Sequence, residues 1–144
     1  MAKTLRLEIV TPERLFYQGE VELVIVRTLA GDEGFMANHM WACKLLDIGE
    51  LWIKEAGSKD YRVAAISGGF IDVKDEIIIF TDAAEWPEEV DMELNMSRKD
   101  IAEKFFSTHT EKDTDTEEWN RFKVSLTQSI TRMNVAQGGR LKRR

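Results

Sequence analysis

The chain has 144 residues, 43% hydrophobic and 32% charged, with 2 Pro and 9 Gly, the profile of one globular domain or a small domain with an appendage, and not of a multidomain enzyme, a collagen or a disordered chain. The single Cys (Cys43) cannot close an internal disulfide, and with only two distant His (His39, His109) no four-ligand zinc site can form. The formal net charge of -6 conceals two opposed pieces: all 26 acids, with 13 of the 20 bases, precede Trp119, and the remaining 7 bases follow with no acid. A reducing compartment and no structural metal are expected. The opening segment lacks the apolar run of a signal peptide, and no stretch is apolar enough to span a bilayer, so neither is expected.

Residues 5 to 10 alternate Leu5, Leu7 and Ile9 against Arg6 and Glu8, the period of a half-buried strand, before Thr11-Pro12-Glu13-Arg14 turns the chain. Further β-rich runs follow at 21–27, 51–54, 61–66, 69–73 and 76–81, with glycines between them at turn positions. Short strands without helical periodicity predict an antiparallel sandwich or barrel over about residues 1–86. The runs VELVIVR and EIIIF are nearly continuous in apolar residues and belong at the centre of the sheet.

At Trp86-Pro87 the pattern changes. Glu88, Glu89 and Asp91 suit the positive end of a helix dipole, and Met92, Leu94, Ile101, Ala102 and Phe105 recur at helical spacing, predicting a helix over about 91–107. Residues 107–116 hold no aliphatic or aromatic side chain and read as an acidic connector. Thr114 and Glu117 have capping-box spacing, so a second helix starts near Asp115 and ends at Gly138-Gly139. Trp119, Phe122, Leu126, Ile130 and Met133 fall on one stripe of it, flanked by Arg121, Lys123 and Arg132. The fold class is therefore mainly β plus α, a sandwich (1–86) followed by an antiparallel two-helix hairpin (87–144). The basic end seeks an acidic surface: the chain's own body, another protein, nucleic acid or anionic lipid.

No catalytic triad, P-loop or dinucleotide fingerprint is present, and Gly68-Gly69 reads as a tight turn. Asp72, Asp75 and Glu76 read as solvated surface acids, and His39, with no nucleophile beside it, reads as a loop or interface contact. No catalytic residue is nominated.

Taken together, Ile9-Val10-Thr11-Pro12-Glu13-Arg14, Phe16-Tyr17-x-Gly19-Glu20-Val21, Gly31-x-x-Gly34-Phe35-x-x-Asn38-His39, Leu46-x-x-Gly49-x-Leu51-x-Ile53, Tyr61-Arg62-Val63-Ala64-Ala65-x-Ser67-Gly68-Gly69-Phe70, Ala84-Glu85-x-Pro87 and Arg132-x-x-Val135-Ala136 give the chain its likeness. It resembles the epsilon subunit of F-type ATP synthases across residues 5–136. The resemblance implies a sandwich of about ten strands that grips the gamma subunit and rests on the c-ring, with Asp32 facing the ring and His39 facing gamma. It also implies a helical arm that enters the alpha/beta catalytic hexamer and blocks ATP hydrolysis, its contacts here being Arg121, Lys123 and Arg132. The location implied is peripheral, on the cytoplasmic face of the cell membrane.

Two departures from the family pattern are visible. Members that bind ATP carry Ile/Leu-Asp-x-x-Arg-Ala where the first helix starts; this chain reads Val90-Asp91-Met92-Glu93-Leu94-Asn95, with Leu94 in the arginine position. A triphosphate needs cationic donors, so no cofactor is expected and ATP binding should be weak or absent. Trp41 stands where the family usually has Pro, and with Phe35, Met36 and Met40 it makes an apolar patch suited to docking. The competing reading is a stand-alone β-sandwich module whose basic helix binds nucleic acid or anionic membrane. One base (Lys44) against four acids (Asp32, Glu33, Asp47, Glu50) over residues 31–50 argues against nucleic acid, and any membrane contact is expected to be indirect.

Overall fold

The computed structural model describes residues 3–139. Seven strands come first: β1 (Leu5–Val10), β2 (Leu15–Thr28), β3 (Gly31–Met36), β4 (Ala42–Glu55), β5 (Tyr61–Val73), β6 (Ile77–Phe80) and β7 (Ala84–Glu85). A 3-10 turn (Pro87–Glu89) leads into α1 (Met92–Thr108), and a second (Glu111–Asp113) precedes α2 (Thr116–Ala136).

The sheet closes on itself. Strands run in the order β1-β6-β5-β4-β2-β3, and β1 also pairs with β2, so five strands form a ring with β3 on its edge and β7 added to β5. Register is carried by apolar pairs such as Val24↔Ile53, Leu51↔Ala64 and Ile71↔Ile79. The two apolar runs do sit centrally: β2 lies between β4 and both β1 and β3, and β6 lies between β1 and β5. Leu7, Ile9, Val21, Val24, Phe35, Leu51, Ile53, Ile66, Ile71 and Ile79 fill the interior.

Two details differ from expectation. β1 and β6 pair in parallel, Leu7 opposite Ile77, so the body is not wholly antiparallel. The strands number seven among the described residues, not about ten, because β2, β4 and β5 are each 13 or 14 residues long and run through both layers. A strand of that length reaches about 45 Å, more than one layer of a small domain can use, so it must bend. In β5 the bend is visible in the burial pattern: Ala64 and Ile66 face the core before it, Ile71 and Val73 after it. Gly68 and Gly69 supply it with φ of +75° and +103°, a region that glycine enters freely.

The helices start on acid caps. The Asp91 carboxylate accepts from Leu94 N at 3.0 Å, and Asp115 accepts from Glu117 N at 3.3 Å. Asp115, not Thr114, therefore caps α2. Phe105 stacks on Phe122 with ring centroids 4.1 Å apart, and Phe106 meets Trp119 edge-on at 4.7 Å, so the predicted stripe faces α1 near the connector. No helix among the described residues is long and apolar enough to cross a membrane.

Candidate functional site

Two surfaces carry the predicted site residues. The first surrounds β3. The Ala30 N–H donates to Thr28 Oγ1 at 3.1 Å and braces the β2–β3 turn, which places Asp32 beside Arg27, its carboxylate 2.7 Å from Nε. Next to it Glu33 accepts from Lys44 and Thr28, and those bonds hold its carboxyl below the ordinary value. Beyond β3, Asn38 adopts φ +68° and His39 N donates to Met36 O at 3.2 Å, so the chain reverses and projects Met40 and Trp41 outward. Met40 is 81% exposed and Trp41 67%.

Phe35 does not belong to that surface. It is 1% exposed, in the core, where its ring meets His39 edge-on at 4.9 Å. Position 35 points inward because alternation along β3 sends Asp32, Gly34 and Met36 to the outside. The exposed apolar patch is thus Met36, Met40 and Trp41, with Phe35 supporting His39 from behind.

The second surface is where α2 meets the sandwich. Val135 is fully buried against Trp52, Val63 and Ala65, a cluster separate from the main core. Seven residues back, near the start of the same face, Gln128 Nε2 reaches Ser67 Oγ at 3.5 Å. Between them Arg132 Nε meets Glu85 Oε1 at 2.7 Å. The logic is periodic: residues 128, 132 and 135 share one helix face, while Ser67, Ala65 and Val63 share one strand face. Seven helical residues rise about 10 Å and four strand residues span about 13 Å, so α2 can follow β5 in the opposite direction. Glu85 stands across from Ala65 in the β5–β7 pair, which puts its carboxylate on the helix side. Arg121 and Lys123, nearer the start of α2, are exposed. The four remaining bases of the positive end, Arg140, Lys142, Arg143 and Arg144, lie outside the described residues.

The linker between body and arm is fastened too. Trp86 stacks on Phe16 at 4.3 Å and lies under the Arg62 guanidinium at 4.0 Å, while Arg14 Nη2 binds the Glu89 carboxylate at 2.8 Å. Burial works against ionisation of Glu89, but the Trp86 N–H and Arg14 outweigh it and its pKa is lowered. Between α1 and α2 a cleft is lined by Met92, Met96, Lys99, Asp100, Ile130 and Met133, with Lys99 its one cation among the described residues.

The family model described as "ATP synthase, Delta/Epsilon chain, beta-sandwich domain" matches residues 4–87. An ATP synthase epsilon chain of Alkaliphilus oremlandii is 51% identical over 108 residues, covering 74% of this chain and 79% of the relative. The chain belongs to the ATP synthase epsilon chain family. The epsilon chain of Caldicellulosiruptor bescii is 37% identical over 132 residues, 91% of this chain and 92% of its own, so the likeness extends through both helices. In fold, the chain is similar to one in a structure of the Euglena gracilis mitochondrial ATP synthase, described as OSCP/F1/c-ring, with TM-score 0.76 over 93% of this chain and 81% of that one at 23% identity.

Sequence reasoning missed the second face of α2, with Gln128 and Val135, and it missed Glu85 as the partner of Arg132. A signal existed: Ala84-Glu85-x-Pro87 and Arg132-x-x-Val135-Ala136 both belong to the motifs that carry the resemblance, although neither shows that the two segments meet. Of the linker clamp, Arg14 and Arg62 stand in quoted motifs, but nothing in the sequence joins them to Trp86 and Glu89, Arg14 and Glu89 being 75 positions apart.

Proposed function

We propose that this epsilon-family chain works as a non-catalytic stalk subunit that couples the c-ring to gamma through its β body, while its helical arm restrains ATP hydrolysis by reaching the alpha/beta hexamer. The observation that carries the regulatory part is how the arm is attached. α2 lies on β4 and β5 while α1 packs on α2, so the hairpin is held down by the C-terminal half of one helix and can lift as a unit from the fastened linker. A small contact area of this kind opens more readily than a closed sheet. Coupling is supported by the exposed Met36, Met40 and Trp41 beside His39, an apolar and aromatic patch of the composition found at protein interfaces. Assembly there would place the subunit peripherally on the cytoplasmic side of the membrane. The interhelical cleft offers a triphosphate only Lys99 among the described residues, and Arg132 is engaged with Glu85, which supports weak or absent ATP binding.

Truncation after Ser107 in the assembled enzyme tests the regulatory part: the ATP hydrolysis rate should rise, and an unchanged rate removes it. Co-purification of the full chain with a membrane-bound ATPase tests coupling; a chain that never associates with one overturns it.

A further inference from the structure

We propose that Glu85 is an internal competitor for Arg132, so that the arm's own cation is withheld from outside acidic partners while α2 lies on the body. The pair is built for that role. Arg132 and Glu85 side chains are 15% and 29% exposed, the least solvated couple of all the ion pairs among the described residues, and water therefore screens it less than the rest. The two groups come from opposite sides of the body–arm junction, and Glu85 is the last strand residue before the linker. Its backbone is fixed by pairing to Ala65, on which Val135 of the arm also packs. The acceptor is thus rigid and belongs to the part that stays, whereas the donor belongs to the part that leaves.

The Nε–H that Glu85 takes is not open to a second carboxylate, and at 15% exposure Arg132 presents little of its remaining edge to an outside partner while α2 is docked. Docking and outside recognition through Arg132 therefore compete. Arg121 and Lys123, exposed in the docked state, supply attraction at long range without deciding between the two positions. The competition rests on the inhibitory reading of the arm given above; the docking contact does not.

Hydrogen exchange on the full chain tests the contact. Glu85→Gln keeps the shape and removes the charge, and amides at 128–136 should exchange about tenfold faster while those of β1 and β6 hold their rates, as expected for losing a charge-assisted bond. Arg132→Gln should do the same, and Glu85→Arg combined with Arg132→Glu should bring protection back toward the parent value, which separates a lost pair from a damaged fold. Unchanged exchange in Glu85→Gln, or a reversed pair no better protected than the single variants, overturns the proposal. In the assembled enzyme, Glu85→Gln should hydrolyse ATP more slowly than the parent because more arms are free. If its rate equals the parent's while truncation after Ser107 raises hydrolysis, the competition is wrong; if truncation too has no effect, it is the inhibitory reading that has failed, and exchange alone judges the contact.

Discussion

Tyr17 is a buried ring whose hydroxyl donates to Glu55 at 3.0 Å. Burial first, then that hydrogen bond and the Glu55 charge, push its pKa from 10.0 up to about 12, with Arg62 pulling the other way. The folded state therefore prefers the neutral phenol. Its contribution is complete below pH 10, where folded and unfolded chains are both protonated, and it is lost as pH rises from about 10 to about 12, because the unfolded chain ionises first. Two units correspond to at most about 2.7 kcal/mol, and the solvent-screened Glu55 reduces it. Urea unfolding of the parent should lose stability across that window more steeply than Tyr17→Phe, and parallel slopes would show that the phenol titrates as in water. Phe35 makes the complementary point about single residues. Composition marks it as one of several apolar side chains in a loop-rich stretch, and only the register of β3 against β2, Val24↔Phe35, decides that it faces inward.

At the scale of elements, β1 was readable and β4 and β5 were only half so, for one physical reason. β1 keeps a single inside face from Leu5 to Ile9, so period-two alternation survives in the sequence. β5 exchanges its inside face at Gly68-Gly69, and β4 does so between Leu46 and Leu51, which breaks the alternation where one element continues and makes it look like two. In α2 the stripe facing α1 was legible because it is aromatic, while the face on the sandwich, Gln128, Arg132 and Val135, is mixed in character and does not stand out in an isolated helix. The hairpin seam is weak in itself: Asn95 Oδ1 and Ser129 Oγ are buried with no hydrogen-bond partner among the described residues, and unmet polar groups of this kind cost about 1–3 kcal/mol each. The bend in β5 is the opposite case, a place with no tolerance. A Cβ at Gly69 would lie 1.8 Å from the Phe80 carbonyl oxygen, at a φ of +103°. Backbone on both sides must shift to admit it, and strain and clash together should cost about 3 kcal/mol in Gly69→Ala, lowering Tm by about 10 °C. A Tm within about 2 °C of the parent would mean that the bend relaxes without cost, against what the closed β5–β6 pairing requires.

The whole molecule divides along its hydrophobic clusters. The large one, from Leu5 to Ala84, lies within the sheet, and the small one joins Val135 to Trp52, Val63 and Ala65 on the outside of it. The arm thus adds nothing to the core that makes the body fold, and the body offers the arm, among the described contacts, an apolar seat, the Ser67–Gln128 hydrogen bond and the Glu85–Arg132 pair. Such an arrangement lets one part move without unfolding the other, which the proposed restraint of hydrolysis by the arm requires. Val135→Asp separates the two: Arg132, three positions away on the same face, is already engaged by Glu85, so a carboxylate in that seat sets two acids against one base, and burying it is unfavourable by several kcal/mol, more than a seat of this size supplies. The helix should then leave the body, amides at 128–136 should lose their protection, and the main melting transition should move by less than about 3 °C, since no residue of the large cluster is altered. If that transition instead falls together with the helix protection, body and arm form one cooperative unit, and an arm that lifts from an intact body is ruled out.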